Sequence, residues 1–330
     1  MIREKTNMNR DQRLIHWLNN TLKTTEYQCV PLAGDASFRS YRRVYVGGDQ
    51  YIVMDAPPPE STEHFVAIAE LLTSQGLTVP KIVARDLEQG FLLLSDLGDR
   101  LYLNELNEAT ADALYQDAFK ALFVLHSCRS DLPKFDRPFL QFQMGIFEEW
   151  YLGKNKSITV TQTIAEELNP VYERIYQVIE RQPQVLVHRD YHSRNLMILE
   201  DNNPGILDFQ DAIIGPVTYD LVSLLQDCYI TWPRERVVDW VASFQRQAQT
   251  IGIIDNRSSR NEFLQWFDWT GLQRHLKNLG IFSRLHFRDN KSGYLKDIPR
   301  VLSYILETCQ RYGELQPLQS FLETIEMETT

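Results

Sequence analysis

His188-Arg189-Asp190-Tyr191-His192-Ser193-Arg194-Asn195, followed by Leu207-Asp208-Phe209-Gln210-Asp211, is the stretch that decides the fold. It reads H-R-D-x-x-x-x-N, with a D-F dipeptide starting thirteen residues beyond the Asn. Either fragment alone arises by chance; together, at this spacing, they are specific. Three β-like runs bracket them, at residues 185–187, 196–199 and 205–207, with the turn Asp201-Asn202-Asn203-Pro204 between the last two. Asp190 and Asn195 then share one loop and Asp208 closes the neighbouring strand, so a tight hairpin can gather three hard-oxygen side chains. Phosphoryl transfer is the chemistry that needs such a set. Asp190 takes the proton of an attacking hydroxyl, and Asn195 and Asp208 hold Mg²⁺ against the phosphates of ATP. The bland reading makes all three turn formers, and the fit of the spacing weighs against it. His188 reads as structural, bonding loop backbone.

Working upstream, residues 41–46 and 51–54 flank Gly47-Gly48-Asp49 and predict a hairpin. Pro57-Pro58-Pro59 ends the second strand. Ser61 is placed to cap a helix whose Phe65, Ile68, Ala69 and Leu72 recur at helical spacing, with Gly76 at its C-terminal end. A second hairpin, residues 81–85 and 91–95, turns at Glu88-Gln89-Gly90. Residues 14–22 suit a short amphipathic helix. From Gly98 onward helical patterns dominate, at 109–126, 142–152, 164–179 and from 218 to the end. The expected class is α+β and bilobal: a small antiparallel-sheet lobe with one helix over residues 1–97, and a larger, mostly helical lobe over 98–330 that holds the catalytic loop.

The first lobe reads as the nucleotide side. Gly34-Asp35-Ala36-Ser37-Phe38 lies where a kinase folds a loop over ATP phosphates, and small residues let backbone N–H groups approach an anion. Gly34, Ser37 and Phe38 are therefore candidates, although the run is not G-x-G-x-x-G. The strand Tyr51-Ile52-Val53-Met54-Asp55-Ala56-Pro57 has no Lys or Arg where a protein kinase carries V-A-I-K. Arg39, Arg42 and Arg43 on the preceding strand are the available cations. Strand alternation puts Arg39 and Tyr41 on the face opposite Arg42, and Arg42 and Arg43 are the preferred candidates, with Glu70 a weaker one as partner. Residues 91–98 would run beside the adenine, bonding it through backbone near Leu94, Ser95 and Asp96.

The 330 residues carry 34 basic and 44 acidic side chains, a net charge of −10. That disfavours non-specific nucleic-acid or anionic-membrane binding. Cys29, Cys128, Cys228 and Cys309 are too scattered for zinc spacing and read as free thiols in a reducing cytoplasm. A polar N-terminus and the lack of about 18 consecutive apolar residues predict no signal and no membrane span. A cytoplasmic protein is expected, with no nucleic-acid, membrane or obligatory protein partner.

The stretch 186–196 resembles the aminoglycoside phosphotransferase and choline kinase superfamily, which has a protein-kinase-like fold and acts on small molecules. Three further stretches resemble, more narrowly, the bacterial cell-wall sugar kinases that phosphorylate the anomeric hydroxyl of N-acetylmuramate and N-acetylglucosamine. They are Ser37-Phe38-Arg39-Ser40-Tyr41-Arg42-Arg43, Val53-Met54-Asp55-Ala56-Pro57-Pro58, and residues 272–285, beginning Leu272-Gln273-Arg274-His275-Leu276-Lys277-Asn278. The resemblance spans nearly the whole chain and implies ATP, Mg²⁺, an amino-sugar acceptor and a role in peptidoglycan recycling. Those kinases also lack the strand Lys. Candidate sugar contacts are Asp211 for hydroxyls, Trp150 and Tyr151 for a pyranose face, and Arg284, Arg288 and Lys291 for the lactyl carboxylate. Asp220 resembles the superfamily's structural Asp, bracing the catalytic loop. Two alternatives remain: the same fold acting on an aminoglycoside, choline-like or other alcohol, and a nucleotide-sensing pseudokinase, which only the missing Lys favours.

Overall fold

The computed structural model describes residues 8–32 and 38–328, the side chain of Glu328 excepted. The chain divides into two compact units, Met1–Arg100 with Met197–Gln210, and Leu101–Leu196 with Asp211–Thr330.

The first unit opens with helix α1 (Arg10–Leu22), capped by Asn9 and Gln12 in a reciprocal capping box. Strands β1 (Gln28–Pro31), β2 (Ser40–Val46), β3 (Asp49–Asp55), β4 (Ile82–Asp86) and β5 (Phe91–Ser95) form one antiparallel sheet in the order β1-β2-β3-β5-β4. Val46 pairs with Asp49, so Gly47 and Gly48 alone make the β2–β3 turn, both at positive φ. Helix α2 (Thr62–Ser74) starts where Ser61 accepts a hydrogen bond from the His64 N–H. Leu14 and Leu18 of α1 close over Val44, Val53, Phe91 and Leu93, and this apolar cluster is what holds α1 on the sheet. Strand β1 was not foreseen. It is a short edge strand of mixed exposure, with no alternation to betray it.

The second unit runs through α3 (Tyr102–Glu105), α4 (Ala111–Ser127) and α5 (Arg137–Ile146), whose N-terminus Asp136 caps. At Phe147 the helix widens into a π-helix, Phe147–Asn155, where the sequence predicted one continuous α-helix. There follow α6 (Gln162–Glu180) and β6 (Gln184–Val187); the chain then passes through the short strands β7 (Leu196–Met197) and β8 (Gly205–Ile206), which pair with each other and of which Met197 and β8 belong to the first unit, and returns in β9 (Ile213–Pro216), which pairs with β6. Helices α7 (Tyr219–Leu225), α8 (Arg234–Thr250), α9 (Arg260–Phe287), α10 (Ile298–Arg311) and α11 (Gln316–Glu328) complete it.

Helix α9 is the axis of this unit and is buried on almost every side from Phe263 to Leu285. Some of its polar residues are matched inside: Gln273 donates to Gln143, and Thr270 joins Thr218 and Gln182. Gly280 has no Cβ for a reason. A methyl there would lie 2.4 Å from the Ile146 carbonyl oxygen and 2.7 Å from the Phe147 nitrogen, at the junction where α5 becomes the π-helix. Among the described residues no helix is long and apolar enough to cross a membrane.

Candidate active site

The catalytic-loop residues Asp190 and Asn195 belong to the second unit. Strand β6 delivers the chain to His188, and two buried carboxylates then pin the loop. Asp220, in the first turn of α7, accepts from the backbone N–H of His188 at 2.6 Å and of Arg189 at 2.9 Å. Asp227 accepts from both the N–H and the hydroxyl of Ser193, at 2.9 and 2.5 Å. Arg189 sits at φ +79°, the left-handed region that a non-glycine residue enters at some cost, and Asp220 holds it there. The Asp190 N–H donates to His188 Nδ1 at 3.2 Å, so the buried imidazole accepts at that nitrogen. Asn195 Nδ2 donates to the Asp190 carbonyl at 2.9 Å, which turns the amide oxygen of Asn195 away as an acceptor. Tyr191 anchors the loop from below, its hydroxyl on the Ala118 carbonyl.

The electrostatics separate the two carboxyls. Burial alone raises a carboxyl, but the charges of Lys277, His192, Arg274 and Arg189 hold Asp190 far below the usual carboxylate range. Its side chain keeps 43% of its exposure. Asp220 has no exposure, and burial pushes it up to about 6, against the pull of His188 and of the two N–H donors. An exposed, ionised carboxylate above a buried bracing one is an arrangement suited to accepting a proton from a bound hydroxyl.

Asp208 belongs to the first unit. It stands exposed at φ +58°, and Gln210 Nε2 donates to it at 2.7 Å. Next to it Phe209 is buried, its ring 4.8 Å from that of Phe65 on α2. Tyr41 lies within reach of the same carboxylate: burial first, then the charge of Asp208, hold its phenol above the ordinary range, with Arg39 opposing and Glu60 adding. Arg39 and Glu60 form an ion pair at 2.6 Å, with side chains only 9% and 14% exposed. Among the described residues no three His, Cys, Asp or Glu side chains gather at metal spacing.

Several sequence expectations need correction. Arg42 is paired with Asp11 at 2.6 Å on the surface. Arg43 is buried and clamped by Asp96 at 2.5 Å, Asp99 at 2.7 Å and the Gly98 carbonyl at 3.1 Å. Both preferred phosphate cations are thus neutralised within the fold, and Arg39, the one passed over, lies beside Tyr41 and Glu60. Glu70 pairs with Arg85, not with an arginine of β2. Ser95 has both its N–H and its hydroxyl committed to the Lys81 backbone, and Leu94 is buried in the sheet between Ile52 and Ile82, leaving little for a base to bond there. The Asp96 carboxylate belongs to Arg43. Phe38 is 70% exposed, and its N–H donates to Glu60. Gly34 and Ser37 lie outside the described residues.

On the expected sugar side, Tyr151 is fully buried, stacked on Phe147 and bonded to Glu326 at 2.5 Å, so no pyranose reaches it. Trp150 is half-buried on the π-helix. Asp211 is exposed, its carbonyl accepting from Arg189. Arg288 is held by its neighbour Asp289 through two hydrogen bonds, 2.8 and 3.0 Å. Arg284 is half-buried, with an ε N–H that finds no acceptor among the described residues. Asp227 was missed, because a lone Asp at the end of an apolar helix carries no signal.

The sequence pattern of the phosphotransferase enzyme family matches residues 28–263. The chain belongs to that family. Two relatives match nearly from end to end. The N-acetylmuramate/N-acetylglucosamine kinase of Pseudomonas putida is 41% identical over 96% of this chain and 96% of its own length. The protein of the same name from Neisseria meningitidis is 36% identical, again over 96% of each. Among solved structures, the ADP-bound aminoglycoside phosphotransferase APH(2'')-Ib superposes with a TM-score of 0.61 at 18% identity, over 90% of this chain and 99% of that one. At that identity the likeness shows the fold, and the fold is the α+β phosphotransferase class the sequence predicted.

Proposed function

We propose that this family member transfers the γ-phosphoryl group of ATP to the anomeric hydroxyl of N-acetylmuramate, N-acetylglucosamine or both, as a cytoplasmic step of peptidoglycan recycling. The observation that carries the substrate is the near-full-length similarity to kinases of those two sugars. No obligatory protein partner enters the reading.

Asp190 takes the proton as the sugar oxygen bonds to the γ-phosphorus. The bond to the β,γ-bridging oxygen breaks, and its electron pair leaves with ADP. The braced loop and the ionised state of Asp190 support this role. An anomeric hydroxyl is more acidic than an ordinary alcohol, so a strong base is not required. Asn195 and Asp208 offer an amide oxygen and an exposed carboxylate, hard donors that fit Mg²⁺. That ion, when bound, offsets charge on the phosphates. For the cation missing from β3, we assign Arg39 with Glu60 as its partner, because that pair lies around Tyr41, which also feels Asp208, whereas Arg42 is taken by Asp11 on the surface and Arg43 by two carboxylates.

The test is ADP release with ATP and Mg²⁺ over N-acetylmuramate, N-acetylglucosamine, kanamycin and choline. Turnover of the acetylated sugars, lost in Asp190→Asn, with a 1-phosphate seen by phosphorus NMR, is the expected result. Turnover of kanamycin or choline alone would sink the cell-wall reading and leave the family intact.

A further inference from the structure

Helix α9 places two cations beside the proposed base and gives them almost no counter-charge. Arg274 is 2% exposed and Lys277 7%. They stand three residues apart, on one helix face. The guanidinium of Arg274 lies 4.0 Å from Asp190 Oδ1, too far for a hydrogen bond, and 3.9 Å from the sulfur of Cys228, a weak acceptor. Its ε N–H, buried, has no acceptor among the described residues. The Lys277 ammonium donates to the Tyr219 hydroxyl at 3.2 Å. Asp190 is the only carboxylate within ion-pair distance of either cation among the described residues. The two other acids nearby are already engaged, Asp220 by the backbone of His188 and Arg189, and Asp227 by Ser193 and the Tyr229 N–H.

A buried cation without a partner is expensive to keep. Two together, one of them with an unused donor, fit an anion that arrives with the reactants. We infer that Arg274 and Lys277 form an oxyanion subsite beside Asp190, in which a forked guanidinium and a point charge grip an anionic group next to the attacking hydroxyl. The inference rests on the reading of Asp190 as the base. Two groups of that chemistry can stand there: the phosphoryl group in flight, or the carboxylate of an acidic sugar. The subsite takes the place expected of Arg284 and Arg288, of which Arg288 is tied to Asp289.

The experiment compares Arg274→Gln, Arg274→Lys and Lys277→Met with the unaltered protein on N-acetylglucosamine, which is neutral, and N-acetylmuramate, which is anionic. Each melt is also recorded with and without inorganic phosphate and lactate, which needs no turnover. If the phosphoryl group is gripped, Arg274→Gln lowers kcat on both sugars by about 10²–10³-fold, and phosphate stabilises the unaltered protein more than the variant. If the sugar carboxylate is gripped, KM rises about 10–100-fold for N-acetylmuramate alone, and lactate gives the differential stabilisation. In both cases Arg274→Lys restores part of the loss, and Lys277→Met shows the same pattern more weakly. Because the two sugars are compared within one variant, a folding defect cannot imitate the carboxylate pattern, and the melts report one directly. Folded variants with unchanged kcat and KM on both sugars overturn the subsite, as does equal stabilisation by both anions in variant and unaltered protein. Silence of the unaltered protein on both sugars would sink the sugar reading, while the melts would still decide the subsite.

Discussion

Asp220 makes a bond that a near-identical side chain cannot copy. Its two oxygens each accept one backbone N–H, and in Asp220→Asn one of those N–H groups would face an NH₂. Leaving a buried donor without an acceptor costs about 1–3 kcal/mol, so the variant should melt lower and lose turnover as the His188–Arg189 bend relaxes. The pH dependence has a definite sign. The folded-state pKa, about 6, lies above the ordinary 3.8, so the contribution of Asp220 to stability is complete below about 3.8 and lost as pH rises through about 6. The stability gap between unaltered protein and Asp220→Asn should therefore narrow from pH 5 to pH 7 in thermal melts; a gap that widens would refute the raised pKa. For the nucleotide side, Arg39→Ala should raise the KM for ATP about 10–100-fold, the worth of one charged hydrogen bond. Arg42→Ala should leave it within about twofold, since the exposed pair with Asp11 contributes little. Steady-state kinetics on the two variants decide it. The motif residues were legible because their chemistry fixes their spacing. The partner of each of the three arginines was not, because it depends on where Asp11, Glu60 and Asp96 fall in space.

Elements with a local cause were read well from sequence. Ser61 caps α2, Gly47-Gly48 turns the first hairpin, and Gly90, at φ +75°, turns the second. Each is decided by a few neighbouring residues. The π-helix was not legible from its own residues, and the partner across its start lies far off in the sequence. Gly280 brings the backbone of α9 against Ile146 and Phe147, and nothing near residue 147 announces that contact. The Gly280→Ala methyl would meet backbone atoms, which cannot swing aside, so a loss of about 1–3 kcal/mol or more is expected. Gly145→Ala, on α5 one residue before Ile146 and with open space around its Cβ position, should be neutral or gain about 0.5–1 kcal/mol from helix propensity. Thermal melts of the pair separate packing from propensity, and equal shifts would refute the close approach.

At the scale of the molecule, the sheet unit is not one stretch of chain. Residues Met197–Gln210 belong to it although the helical unit surrounds them in sequence. They are built in: the Ile206 N–H donates to the Thr78 carbonyl at 2.8 Å, the Ile198 N–H to the Arg100 carbonyl at 2.7 Å, and Phe209 packs on Phe65. A fragment of residues 1–100 should therefore melt without cooperativity, and the same fragment with residues 197–210 joined by a flexible linker should regain a sharp transition. Calorimetry on the two fragments tests this, and a cooperative melt of the shorter one would refute it. The sequence showed two hairpins and a helix as a lobe ending near residue 97. It did not show the returning segment, because a fourteen-residue loop and turn carries no mark of which surface it will cover.

That return also sets a clock on biosynthesis. The first hundred residues leave the ribosome complete in sequence yet lacking the segment that covers Phe65 and Thr78. About 110 further residues must be made before Gln210 emerges. At roughly 5–20 residues per second, the wait is about 5–20 s. For that interval the nascent sheet carries uncovered apolar surface, and it is then that a chaperone would matter most to this chain.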